Sequence, residues 1–515
     1  MARGGRNDVL DRKIKDISAP LAPPHQQSDE NESPPFHPAS SIPLPGIVVS
    51  FRSSRRSAEG GAMHNVRLHQ APVAAFALVL VCTFIGCAGR QTPDERSSRE
   101  QVQKVLSIYR GTGAAPSLPR LRSGGSPEMF LRYAIYRHPQ VEAAYFEWAA
   151  SVEKITRERS LPDPRLTFEA DISKMIMAVM PGLMMDFPGP GKLRAAANVA
   201  VAEGGVKYFQ FEAAVLQVAY GFKKAWYELR LVDERIRVNQ EMATLLQDLE
   251  KLAQSRTEVG KGTLQDLLRT QIEKERLQTE LTNLRDSRQW FATQFKAALG
   301  LGAGDPTPPQ PRALVSSSLS TSGDQILTMA LAKNPRLKAM EADVRRAEAA
   351  MVLAGKSRIP DFALGVEADV KASPVFVRPS GGMTLPIWRD KIAAEITSAR
   401  HLEGASRARL SNERLTLTVE VAMKSYQYRE STRLLALLQN SLLPKARQSL
   451  DVARSGYSTG TTDFIDLIDA QRTLLEFRLA EVEALIKREL ALADLSLQVM
   501  GVPPSGVPFL EKLRR

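Results

Sequence analysis

Two stretches of the chain, Lys192–Arg256 and Lys391–Ser455, keep apolar residues at helical spacing for an unusually long distance. No proline interrupts the first, and only Pro444 interrupts the second. Each is about 65 residues, roughly 98 Å of α-helix at 1.5 Å per residue, far beyond what a compact domain holds. Further helical runs carry a heptad-like seam: Leu277, Leu281 and Leu284, then Phe291 and Phe295 with Arg288 in the skipped slot, and Leu475, Leu479, Val482 and Ile486 later on. Ahead of each long helix the period changes to two. Leu166, Phe168, Ala170 and Ile172, and again Phe362, Leu364, Val366, Ala368 and Val370, alternate with other residues and predict strands. A Pro/Gly turn and a return segment, Leu183–Phe187 or Met383–Ile387, make each a hairpin. Strands of about ten residues are long enough, when tilted, to cross a bilayer.

The two sets of elements are copies of one another. Gly260, Asp266, Leu267 and Gln271 recur in register as Gly460, Asp466, Leu467 and Gln471. Pro139 answers to Pro335, Leu161-Pro162-Asp163 to Ile359-Pro360-Asp361, and Leu299-Gly300 to Met500-Gly501. The offset drifts only from about 196 to 201, and a fixed period is a signature of architecture. Repeat 1 is therefore expected over 126–300, with a helix, a hairpin at 164–187, a long helix at 192–256 and a helix at 263–299. Repeat 2 is expected over 324–501, with a helix, a hairpin at 361–387, a long helix at 391–455 and a helix at 463–500. Segment 301–323 reads as a linker and 502–515 as a tail. In each copy a glycine, Gly260 or Gly460, breaks the chain after the long helix, and a carboxylate follows six residues later.

The first 125 residues have a different character. Residues 1–62, rich in Pro, Ser, Arg and Gly, cannot bury a core and read as a disordered extension, or as one not translated if Met63 is the true start. Residues 63–87 read as an export signal: Arg67, an apolar run Ala71–Ile85, then Gly86-Cys87. Cys87 resembles the acylated cysteine of a bacterial lipobox, although Phe84 stands where such signals usually carry Leu; the alternative is an ordinary signal peptide cut nearby. Residues 88–125 read as a polar linker. Cys82 is the only other cysteine, so the exported body has no cysteine for a disulfide or a metal.

The net charge of +12 does not indicate nucleic acid, because acidic residues are interspersed with the basic ones along helices. Nor does the chain read as an enzyme: it has no Ser/His/Asp or Cys/His arrangement, no phosphate-cradling glycine loop and no paired histidines. No cofactor is expected. Six histidines, mostly in the first 140 residues, support no metal site. Met175, Met177, Met180, Met184 and Met185 crowd one hairpin. They are either thioethers for soft ions or apolar filler facing lipid, and filler is the simpler reading.

Two hairpins cannot close a barrel, and an open sheet edge cannot face hydrocarbon with its backbone groups unpaired. Three copies would supply twelve strands, above the eight that bacterial barrels need. The fold class expected is mainly α with a small β part: a trimeric α-helical barrel beneath a shared 12-stranded transmembrane β-barrel. The competing reading is a lipid-anchored periplasmic coiled coil with a structural or adhesive role.

At these residues the chain resembles the TolC-like outer-membrane factors. The motifs are Gly-Tyr-Ser-Thr-Gly with Asp-Leu-Ile-Asp-Ala-Gln across 456–471, Glu-Val-Gly-Lys-Gly-Thr-Leu-Gln-Asp-Leu-Leu at 258–268, and Phe-Pro-Gly-Pro-Gly-Lys at 187–192. The resemblance implies a homotrimeric exit duct for efflux or type I secretion, set in outer-membrane lipid with a long periplasmic extension. A periplasmic adaptor protein and an inner-membrane pump are the partners it implies. It also implies that Tyr457, Asp466 and Asp469, with Asp266 from the first copy, close the duct. Asp466 and Asp469 are three apart and share a helix face. Three of each around an axis would attract cations, although plain helix N-terminal acids, as Asp463 reads, would look the same. Thr462 stands where some members carry a basic residue, and Thr257 where an aromatic is expected, so a salt-bridge latch is not evident.

Overall fold

The computed structural model describes residues 91–109, 118–172, 176–311, 319 and 321–499. The extension, the export signal with Cys82 and Cys87, and the C-terminal tail lie outside the described residues. The expected polar linker at 88–125 instead contains a helix, α1 (Pro93–Tyr109). Polar sequence did not prevent this because α1 docks through a short apolar stripe, Val102, Val105 and Leu106, together with a buried ion cluster. Glu95, fully buried, pairs with Arg159 at 2.7 Å and Arg99 at 3.3 Å, and accepts from Thr156 Oγ1 at 2.8 Å.

Repeat 1 continues with α2 (Pro127–Arg137), α3 (Pro139–Arg159), β1 (Arg165–Ile172), β2 (Ile176–Phe187), α4 (Lys192–Glu258) and α5 (Leu264–Ala298). Repeat 2 has α6 (Gly323–Lys333), α7 (Pro335–Gly355), β3 (Phe362–Asp369), β4 (Phe376–Met383), α8 (Arg389–Leu437), α9 (Leu443–Thr459) and α10 (Phe464–Gln498). The first helix of each repeat is broken at the same place. His138 and Asn334 cap the second piece, accepting from backbone N–H groups ahead, and Pro139 and Pro335 occupy the first helical position, where no N–H is needed. Between α8 and α9 the helix does not stop but passes through a π-turn, Leu438–Leu442, just before Pro444. The proline lacks an N–H and crowds the preceding turn, and the wider π geometry accommodates it.

Packing follows from the lengths. Along α4, α3 covers the end near the strands, where Trp148 stacks on Phe211 at 5.8 Å; α5 covers the rest, with Phe295 5.9 Å from Phe222 and Arg288 bonded to Asp233 at 2.6 Å. The two meet at Gly300, whose φ is +71° and whose Cβ, if it had one, would lie 2.9 Å from His138 Cα. On the other side of α4 lie α7 and α10, and beyond them α8 and α9. The molecule is thus four columns deep, with α3 and α5 on one flank and α8 on the other. The core between the columns splits into a cluster around Trp148, Phe222 and Phe295, a second around Leu246, Leu249 and Leu467, and a third around Ile326, Leu417 and Leu495.

All four strands form one antiparallel sheet in the order β1-β2-β3-β4. The return strands differ from the expected segments. β2 begins seven residues earlier than Leu183, and β4 ends at Met383, where the expected return strand was to begin. The reason is composition: Arg378, Ser380 and the glycines of β4 break the apolar alternation that marks a strand in sequence, while ladder bonds to β3 define it in space.

Candidate functional site

Two places could carry function, the sheet at one end of α4 and the paired turns at the other. Cross-strand partners face the same way, so the register sorts the sheet into two surfaces. One is apolar throughout, with Leu166, Phe168, Leu183, Met185, Phe362, Leu364, Val366, Val377 and Met383. Phe168 is 69% and Leu364 60% exposed, more than water-facing side chains of this kind normally tolerate. The other surface carries Arg165, Thr167, Glu169, Met180, Met184, Asp186, Glu367, Asp369 and Arg378, with carboxylates outnumbering guanidiniums. Arg165 binds Asp186 at 2.7 Å. Glycines on this surface let neighbours lean inward: a Cβ on Gly182 would stand 2.5 Å from Thr167 Oγ1 and 2.6 Å from Glu367 Cγ.

The reading of the methionines as filler on the lipid face needs correction for two of them. Met180 and Met184 lie on the polar surface, their sulfurs 3.7 Å from Arg378 Nη1 and 3.9 Å from Arg165 Nη2. Four residues apart on a strand, they are separated by about 13 Å, too far to share an ion. Met185 is on the apolar surface. Met175 lies outside the described residues.

Where the sheet joins the helices, Asp361 of repeat 2 accepts from the Gly189 N–H at 2.7 Å and from Lys192 Nζ at 2.8 Å. This explains the glycine-rich motif at 187–192. A Cβ on Gly189 would collide with the Pro360 carbonyl at 2.3 Å, so only glycine lets the two repeats approach there.

At the far end, α4 closes with Gly260 (φ +74°) and α9 with Gly460 (φ +88°), both in the left-handed region that glycine adopts without cost. Asp266 forms a reciprocal capping box with Thr263, each backbone N–H donating to the other's side chain at 3.2 Å. It also faces Tyr457. That ring is 3% exposed and packs edge-on against Phe464 at 5.1 Å. Burial, and then the Asp266 charge beside it, push the phenol above its ordinary value, so it stays neutral at physiological pH. The structure thus brings Tyr457 and Asp266 together across the two repeats.

Asp466 and Asp469 are both exposed in the first turns of α10. Asp469 is 3.5 Å from Arg472, which also pairs with Glu273 of α5. Asp463 caps α10 without a side-chain hydrogen bond. Arg256, which the motifs did not single out, stands over the Tyr457 ring, its guanidinium 4.5 Å from the centroid. The only sequence signal for it is an asymmetry between the copies, since Gly456 occupies the matching place.

The outer membrane efflux protein family matches residues 326–499. The cobalt-zinc-cadmium resistance protein CzcC of Cupriavidus metallidurans is 24% identical over 374 residues, covering 72% of this chain and 88% of CzcC. Among solved structures, the outer membrane protein VceC of Vibrio cholerae superposes with a TM-score of 0.62 at 17% identity, covering 74% of this chain and 96% of VceC. The outer membrane channel MtrE of Neisseria gonorrhoeae, in its open state, gives 0.62 at 16% identity, with 72% and 88% covered. By sequence across 326–499 the chain is similar to the outer membrane efflux protein family, and by fold along both repeats it is similar to VceC and MtrE.

Proposed function

We propose that three copies of this chain close into an outer-membrane duct, the passive exit of a tripartite efflux system that expels metal cations. The observation that carries this reading is the two-faced sheet. An apolar, exposed surface suits hydrocarbon, and a polar surface behind it suits a water-filled lumen. The outer edges of β1 and β4 have no strand partner among the described residues. In a bilayer those backbone groups need neighbours, and three four-stranded sheets supply them as a closed twelve-stranded ring.

The helical part supports the same closure. On α8, Leu415, Val419, Met423, Tyr426, Leu434 and Leu437 are exposed and fall on one face. On the opposite flank, Leu264, Leu268, Ile272 and Trp290 of α5 do the same. Two different apolar flanks joined head to tail build a ring when the rotation closes. The resulting tube would continue the barrel as a periplasmic tunnel, with the paired turns at its far end, where an adaptor and an inner-membrane pump would dock. Cys87, if acylated, would add a lipid anchor.

Metal cations are the cargo favoured by the likeness to CzcC and by the carboxylate excess on the polar sheet surface. Asp466 and Asp469, exposed at the turn, would form rings that draw cations in. The test is single-channel recording of purified protein in planar bilayers. Asp466→Ala combined with Asp469→Ala is expected to raise conductance and weaken cation preference; an unchanged recording removes these residues from the gate. Protein that is monomeric and soluble without detergent would end the duct reading.

A further inference from the structure

Aligned on Gly260 and Gly460, the two copies place Arg256 opposite Gly456 and Thr257 opposite Tyr457. The first copy has a cation and no ring; the second has a ring and no cation. In the folded chain the two halves of this pair meet. The Arg256 guanidinium lies 4.5 Å from the Tyr457 centroid, and its Nη2 donates to the Lys261 carbonyl at 3.0 Å. The same Nη2 is 3.4 Å from where a Cβ on Gly460 would be. The Arg256 carbonyl accepts from the N–H groups of Lys261 and Gly262 at 2.8 and 2.9 Å. One residue therefore touches the turn of the first repeat, the turn of the second, and the aromatic that precedes the latter.

Its Nε and Nη1 are buried with no acceptor among the described residues, so the ring face rather than a carboxylate holds this cation. The second copy could not supply its own arginine. A Cβ at Gly456 would stand 2.1 Å from Thr462 Oγ1 and 2.9 Å from Thr462 Cβ. With threonine at 462, the cation has to come from the other repeat.

We propose that Arg256 and Tyr457 form a cross-repeat clamp that holds the two turns of each protomer together and keeps the periplasmic end of the duct closed. The clamp rests on the duct reading above and adds the element that sets its resting state. It replaces a latch based on a basic residue at position 462, which this chain lacks. A desolvated cation over an aromatic face is worth about 0.5–2 kcal/mol, so removing one clamp shifts the closed-to-open ratio roughly 2- to 30-fold per protomer.

The experiment is planar-bilayer recording of the full-length purified protein, with trimer assembly checked by heat-modifiable gel mobility. Arg256→Gln and Tyr457→Leu are each expected to raise mean conductance or open probability. The double variant should exceed neither single variant by much, because each removes the same contact. Tyr457→Phe keeps the ring face and should open the duct less than Tyr457→Leu, whereas equal effects of the two would assign the role to the hydroxyl beside Asp266 and overturn the clamp. Singles that match wild type, or effects that simply add, overturn the clamp. If Arg256→Gln fails to assemble, the contrast between Tyr457→Leu and Tyr457→Phe decides the matter alone. A wild-type protein that never conducts removes the duct reading itself; a conducting wild type with indifferent variants removes only the clamp.

Discussion

Phe168 and Glu169 are adjacent in β1, at the same height, and point to opposite surfaces of the sheet. If the apolar surface meets lipid, Phe168→Arg and Glu169→Arg should differ greatly although the substituted side chain is the same. Arginine on the lipid face near mid-depth costs about 2–4 kcal/mol. Phe168 is 69% exposed in one protomer, so most of its phenyl surface is available to hydrocarbon, and losing it removes roughly 1.5–3 kcal/mol more. Phe168→Arg should therefore cost about 4–7 kcal/mol per protomer, comparable to the whole stability of many domains. Glu169→Arg, facing the polar surface, should cost less than about 1 kcal/mol. The assay is folding into lipid vesicles followed by urea titration, with the fraction of heat-modifiable protein as readout. Equal costs for the two variants would refute the two-surface argument, and a larger cost for Glu169→Arg would reverse the assignment of the faces.

Three other expectations concern assembly and stability. In the Glu95 cluster, burial alone would raise the carboxyl, but the Thr156 hydroxyl and the Arg159 guanidinium outweigh it and hold the group below its ordinary value. A depressed carboxylate stabilises above its unfolded value, near pH 4.3, and that contribution is lost as pH falls through the lower folded value. Hydrogen exchange across 93–109 should therefore accelerate on acidification below about pH 4.3, and Glu95→Gln should show the fast rate at neutral pH. Gly300→Ala places a Cβ against His138 at a left-handed residue, costing about 1–2 kcal/mol from the backbone conformation before any clash, and should lower the melting temperature. Leu415→Asp with Val419→Asp, on the exposed flank of α8, should leave the helical circular dichroism intact while reducing the trimer fraction in detergent, measured by light scattering.

The long helices and the turns that follow them were legible because their signals are local. The glycines at 260 and 460, the prolines at 139 and 335 and the seam at Leu277, Leu281 and Leu284 act over a few residues, and a repeated pattern reports itself twice. The apolar side of each hairpin was legible for the same reason, since alternation along β1 and β3 survives without knowledge of neighbours. The polar return strand β4 was not, because its place is set by hydrogen bonds to β3 and not by its own side chains. Helix α1 was missed because its apolar stripe is short, Val102, Val105 and Leu106, and a buried ion cluster formed with a distant helix completes its docking. The faces of Met180 and Met184 depended on cross-strand register, which a one-residue slip would invert. Arg256 escaped notice because its partner lies some 200 residues away in the other repeat, and chain order contains no term for that distance. What sequence alone determined was therefore everything carried by periodicity and backbone punctuation. What the tertiary structure decided was every pairing between the two repeats, because such contacts come into being only when long helices lie side by side.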